Sequence, residues 1–140
     1  MIIALLVSIA GGLGASARLI IDGLITSRLA SRTGARQPGR LSSFPVGTTV
    51  INVGGSLLLG LTFGLTQEEL ITHRWELIIG TGFLGGLTTF STASLETVRL
   101  LGRRRWWAGT ACGLGMLVCA IAAAALGYAV GGLIGGAGAR

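Results

Sequence analysis

Apolar residues run along this chain in four long blocks, at about 2–25, 44–65, 77–101 and 106–134, separated by short polar or arginine-rich breaks. Each block reaches the roughly 20 residues that a helix needs to cross about 30 Å of hydrocarbon. Lipid offers the backbone no hydrogen-bond partners, so spans this long and uniform predict helices, which bond their own peptide groups. Barrel strands would alternate in segments of about 10 residues, and no such alternation occurs. The first block is distinguished from a secretory leader by its apolar start, Met1-Ile2-Ile3, and by exceeding a leader core of roughly 7–15 residues. The pattern predicts an all-α integral membrane protein, with one four-helix domain over 1–140.

Polar residues inside such blocks must face protein, water or an ion, because hydrocarbon penalises them. In the second block Thr48, Asn52, Ser56 and Gly60 recur every four residues and form one stripe. The stripe reads either as a packing seam, with Asn52 bonded to a neighbouring carbonyl, or as a path on which Asn52 offers its amide N–H to an anion. In the first block Arg18 and Asp22 share a face. They read as a helix-surface pair, or Arg18 reads as a basic group gathering anions at a pore mouth. The third block carries GFLGGLTTFST at 82–92. Gly85-Gly86 invites a helix break, since glycine weakens helices, and freed carbonyls at a break become cation ligands. Thr88, Thr89, Ser91 and Thr92 add hydroxyls, and the positive ring edge of Phe90 can contact a small anion. A glycine-softened but merely packed helix is the plainer reading of the same residues.

Composition supports the membrane assignment. The chain is 51% hydrophobic and 11% charged, with a mean hydropathy of +0.77, too little charge to cover a soluble surface. All 11 basic residues are arginine, and the net charge is +6. Eight arginines flank or occupy the loops after the first and third blocks (Arg28, Arg32, Arg36, Arg40; Arg99, Arg103, Arg104, Arg105), against Arg74 and Arg140 on the other side. The bias predicts that those two loops are cytoplasmic and both termini lie outside, with Trp75, Trp106 and Trp107 at the interfaces. Orientation and anionic headgroups account for the charge, and no soluble basic face exists for nucleic acid. The basic cytoplasmic loop 26–43 reads as a mobile connection or a short amphipathic surface helix. Cys112 and Cys119 read as small packed side chains, His73 as a solvated loop residue, and the Gly/Ala tail after Ile134 as disordered.

Three motifs, GGLGASAR (11–18), FPVGTTVINVGGSLLLG (44–60) and GFLGGLTTFST (82–92), together resemble the Fluc (CrcB) family of bacterial fluoride channels. They cover three of the four spans in order. The resemblance implies a fluoride-specific channel rather than an enzyme, multi-pass in the inner (plasma) membrane. It also implies an antiparallel, dual-topology dimer whose third helices are broken mid-membrane. By the same resemblance Asn52 is the pore asparagine and Phe90 a fluoride-contacting ring; the hydroxyls of Thr89 and Ser91 beside it, which can bond the interrupted backbone or donate to an anion, are further pore candidates. Gly85 and Thr88 would present backbone carbonyls to a structural Na+, Arg18 would stand at the pore mouth, and Thr48 and Ser56 are weaker pore candidates.

The chain departs from that pattern twice. Ala93 stands where the family has a second phenylalanine, and the fourth block offers only Thr110 where the family has a series of serine and threonine hydroxyls. An arginine bias of eight to two also fixes one orientation, which a chain inserting both ways would not show. These features predict pairing with an oppositely oriented paralogue that supplies the missing groups, or a partner subunit that does not itself conduct. A small proton-coupled multidrug-type exporter would need a mid-membrane carboxylate, and the acids inside the blocks, Asp22 and Glu96, sit toward their ends.

Overall fold

A computed structural model of the chain describes residues 1–32 and 45–138. Residues 33–43, most of the predicted basic loop, lie outside the described residues, as do Phe44, Arg36, Arg40 and Arg140. The described residues are helical, with no strand among them: α1 (Ile2–Arg32), α2 (Val46–Gln67), α3 (His73–Glu76), α4 (Gly85–Leu87), α5 (Phe90–Gly102), α6 (Trp106–Thr110) and α7 (Met116–Gly138). π-helical turns over Leu77–Leu84 and Ala111–Gly115 join α3 to α4 and α6 to α7. Among the described residues four helical stretches are long and apolar enough to cross a membrane: Ile2–Leu29, Val46–Gln67, His73–Gly102 and Trp106–Ala137. The predicted multi-pass, all-helical class is therefore what the chain adopts.

Two boundaries correct the sequence reading. Helix α1 continues to Arg32 instead of giving way to a loop at residue 26. Ser27 and Ser31 donate their hydroxyls to the Leu24 and Arg28 carbonyls, at 3.1 and 2.9 Å, so their polarity is absorbed within the helix. The C-terminal glycines up to Gly138 are helical, not disordered. Gly135 lies directly against the side chain of Glu68 at the end of α2, which gives that last turn a partner.

The two hairpin turns are built alike. After α2, Leu70 N–H donates to the Leu65 carbonyl and Glu69 N–H to the Thr66 carbonyl, both at 3.0 Å. After α5, Arg105 N–H reaches the Leu100 carbonyl at 3.0 Å and Arg104 N–H the Leu101 carbonyl at 2.9 Å. Each is a Schellman closure. Glu69 and Arg104 take the left-handed position, at φ 57° and 56°, without being glycine, a local strain of about 1–2 kcal/mol apiece.

Glycine seams set the helix pairing. Helix α2 packs along α7, where a methyl on Gly60 would strike the Ala124 carbonyl and one on Gly127 the Leu57 carbonyl. Helix α1 packs along the third span, where a methyl on Gly86 would strike the Gly11 carbonyl and one on Gly14 the Phe83 carbonyl. In lipid, helices associate by close packing rather than by a hydrophobic drive, so small residues mark the contacts. Among the described residues the buried apolar groups are correspondingly few: Ala10, Ile51 with Leu84 and Leu87, and Leu100 with Cys112 and Met116. Most large apolar side chains point outward, as lipid permits.

Candidate functional site

The third span leaves the helical path at two residues, Thr88 (φ −77°, ψ 154°) and Thr89 (φ −147°, ψ 120°), both extended. Gly85 and Gly86 are not where the backbone turns: Gly85 is right-handed helical at φ −63°, ψ −38°, and both belong to α4. The expectation that this glycine pair opens the helix is corrected by three residues. Gly86 serves contact with α1 instead, and threonines hold the extended turn. β-Branched side chains favour extended backbone, and each hydroxyl finds a local partner. Thr88 donates both its N–H and its hydroxyl to the Leu84 carbonyl at 2.9 Å, closing α4. Thr89 caps α5, its Oγ1 accepting from Thr92 N–H at 3.4 Å and lying 3.2 Å from Ser91 Oγ.

Asn52 holds the interruption in place. Its Oδ1 accepts from Thr89 N–H at 2.8 Å, and its Nδ2 donates to the Thr89 carbonyl at 2.9 Å and toward Met116 Sδ at 3.2 Å. One side-chain amide thus takes up the N–H that Thr89 loses by leaving the helix and adds a donor to its carbonyl. The Thr89 N–H, a donor only, fixes which end of the amide is oxygen. Asn52 and Thr89 are both 9% exposed, so without this pairing the Thr89 N–H would be buried unsatisfied, at about 1–3 kcal/mol. Asn52 can reach because Gly55, one turn along α2, lies against the Thr88 methyl and leaves room for nothing larger than hydrogen.

A cavity of about 490 Å³ opens beside this junction. Of the predicted site residues, Asn52, Ser56, Thr88, Thr89, Phe90 and Ala93 line it. Gly85, Ser91, Thr48 and Arg18 do not. Phe90, at 86% exposed, projects from the chain's surface at the cavity edge. Ala93 borders the Leu100–Cys112–Met116 cluster, where its small side chain leaves space. Ser91 sits on the exposed side of α5. Thr48 is buried and faces the Glu96 carboxylate. Of the two readings of Arg18, the helix-surface pair with Asp22 does not form: Arg18 Nε and Glu96 Oε2 are both buried without a hydrogen-bond partner, and Asp22 turns its carboxylate onto Gly47.

Other positions sharpen or correct the reading. Cys112 is packed as expected, but Cys119 is exposed. His73 Nδ1 lies 2.6 Å from Glu76 Oε2 at the exposed start of α3. Among the described residues no group of three or more His, Cys, Asp or Glu could hold a metal. Ser94, Thr97, Gly113 and Met116 also line the cavity and escaped the sequence reading. Ser94 and Thr97 follow Phe90 and Ala93 by four residues and share their helix face, a signal that was available. Met116 had none, because only the α2–α7 seam carries it to Asn52.

Comparison with known proteins gives the family. The family profile described as "CrcB-like protein, Camphor Resistance (CrcB)" matches residues 5–128. The chain is 48% identical over 132 residues to "Fluoride-specific ion channel FluC 1" of Leifsonia xyli subsp. xyli, covering 94% of this chain and 88% of that protein. It is 43% identical over 129 residues to "Fluoride-specific ion channel FluC 2" of Cutibacterium acnes, covering 89% and 94%. With "Fluoride-specific ion channel FluC" of Solibacter usitatus it shares 38% over 120 residues, covering 85% and 89%. A match spanning all four helical stretches, at this identity and coverage, places the chain in the CrcB family.

Proposed function

We propose that this chain is a subunit of a passive, fluoride-specific channel that lets cytoplasmic fluoride leave the cell. The observation that carries the reading is the Asn52–Thr89 junction, a buried polar turn opening on a cavity edged by Phe90. Fluoride is small and strongly hydrated, so a path must offer donors in place of water yet bind weakly enough to release the ion. Amide N–H, hydroxyls and a ring edge meet that need without a trapping charge. Hydrogen fluoride enters as a neutral acid and dissociates inside, so outward passive flux of the anion relieves toxicity. The relatives bearing the name of fluoride-specific channels support the same assignment.

The finer features belong to the same proposal. In this reading the interruption, which sits near the centre of His73–Gly102, lies at mid-bilayer. Thr89 N–H, the ordinary helical donor to the Gly85 carbonyl, goes to Asn52 instead, and the ψ of 154° swings the Thr88 carbonyl off the helix axis. Two neutral oxygens are thereby left for a hard monovalent cation. Gly85 and Thr88 would hold a structural Na+ that braces an antiparallel dimer and takes no part in conduction. The arginine bias orients this subunit with the Arg99–Arg105 turn in the cytoplasm of a plasma membrane. Its partner is an oppositely biased paralogue, which would complete a path that Ala93 and the hydroxyl-poor fourth span leave incomplete.

The test is fluoride efflux from liposomes, read with a fluoride electrode, for the chain alone and co-purified with an oppositely biased four-span paralogue. Fluoride efflux without chloride efflux from the pair is expected. Silence of both preparations would overturn the channel assignment, and robust efflux from the lone chain would overturn the requirement for a paralogue. A pair whose flux is unchanged by Asn52→Ala would make this chain a packing subunit only.

A further inference from the structure

Asn52 has two side-chain protons, and both are engaged. One is committed to the Thr89 carbonyl at 2.9 Å and belongs to the junction. The other points at the thioether of Met116, 3.2 Å away. A thioether is a weak acceptor, whereas fluoride is a small, strong one. We propose that Met116 is a displaceable cap on the Asn52 amide, which satisfies the second proton when no anion is present and yields it when fluoride arrives. This deepens the channel reading and rests on it: Met116 becomes the residue that sets how tightly the path takes up its ion.

Three further observations fit the role. Met116 is 5% exposed and packed with Leu100 and Cys112, so water does not readily take its place on the amide. An unpartnered N–H at that depth would be costly, and some acceptor is needed in the resting state. Methionine is unbranched with several rotatable bonds, so its sulfur can swing away without moving the backbone. The cavity beside it, bounded by Ala93 and Gly113, supplies the space. Thr110, the sole hydroxyl of the fourth span's first half, cannot take over, because it donates to the Trp106 carbonyl at 2.7 Å and lies on an exposed face.

The experiment compares wild type, Met116→Leu and Met116→Gln in the reconstituted channel, reading the fluoride concentration that half-saturates initial efflux. Leucine keeps the bulk but removes the acceptor, so half-saturation falls about two- to fivefold, the worth of one weak hydrogen bond. Glutamine offers a stronger acceptor, so half-saturation rises by a similar factor. Shifts in opposite directions support a cap. Shifts in the same direction, or none, overturn it, since a packing role would not distinguish the two. A second readout stands apart from flux: the Asn52 side-chain amide protons, followed by NMR in nanodiscs during fluoride titration. Movement of one proton by fluoride, and of the same proton by Met116→Leu, supports the cap even if efflux were absent and the channel reading failed. An Asn52 amide indifferent to both, in a protein that does conduct, overturns the cap and leaves the channel reading standing.

Discussion

Gly82 and Gly86 in the third span meet α1 almost backbone to backbone, whereas Thr88 and Thr89, a few residues on, stand away from α1 and turn toward α2 and α7. The first region is held by shape. A methyl on Gly82 would come within 2.9 Å of Val7 O and Ala10 Cβ, so the fit excludes side chains altogether. The second is held by polarity, through an amide that satisfies both backbone groups of one residue. The contrast teaches that small residues in lipid do two separate jobs: glycine closes the distance between helices, and threonine tolerates the place where a helix is opened. Damage to the seam should cost stability, while damage to the turn should cost stability and flux together.

The largest expected effect comes from removing the amide. Asn52→Leu strands the Thr89 N–H, for a loss of about 1–3 kcal/mol, and fluoride efflux should fall at least tenfold. Thermal unfolding in detergent and liposome flux measure the two, and full flux in that variant would break the comparison. Exchange of sodium for N-methylglucamine should come next, acting on the turn alone. At an ion concentration of about 100 times Kd the lost stabilisation is roughly 2.7 kcal/mol, visible as a lower melting temperature that potassium-free sodium buffer restores. A melting temperature insensitive to sodium would dissociate the Gly85 and Thr88 carbonyls from any cation.

The seam is tested by a pair of opposite sign. Gly86→Ala drives a methyl into Gly11 and should destabilise by about 1–3 kcal/mol. Gly12→Ala, on the same helix as Gly11 but with nothing within 4 Å, should stabilise by about 0.5 kcal/mol, as alanine does in an unobstructed helix. Equal effects would mean that glycine content, not contact, governs α1. Smallest of all, His73→Ala removes an exposed contact with Glu76 and should change stability by less than about 0.5 kcal/mol, with flux unaltered.

Much of the site was legible before the fold. The stripe from Thr48 to Gly60 pointed to Asn52, and the run of hydroxyls after Gly86 pointed to Thr88 and Thr89. The spacing could not say that Asn52 and Thr89, 37 positions apart, bond to each other twice. It also left open whether Asn52 serves packing or an anion. In the structure one of its protons does the first, and the other meets only the Met116 thioether. The misplacement of the turn onto Gly85-Gly86 has a physical cause. Glycine's low helix propensity is a weak local preference, and close packing against α1 overrides it by offering those glycines contact that only a helix presents. Helix α1 outran its expected end because serine hydroxyls bonded back to their own helix, which composition does not reveal.

Sequence alone determined the number of spans and the side on which arginine gathers, because a bilayer acts on each segment separately through length, apolarity and charge. Tertiary structure decided where the third span opens, which residue repairs the opening and what faces the remaining proton of Asn52. Those depend on which helices touch, and contact between helices is a matter of shape and paired hydrogen bonds that no single segment carries.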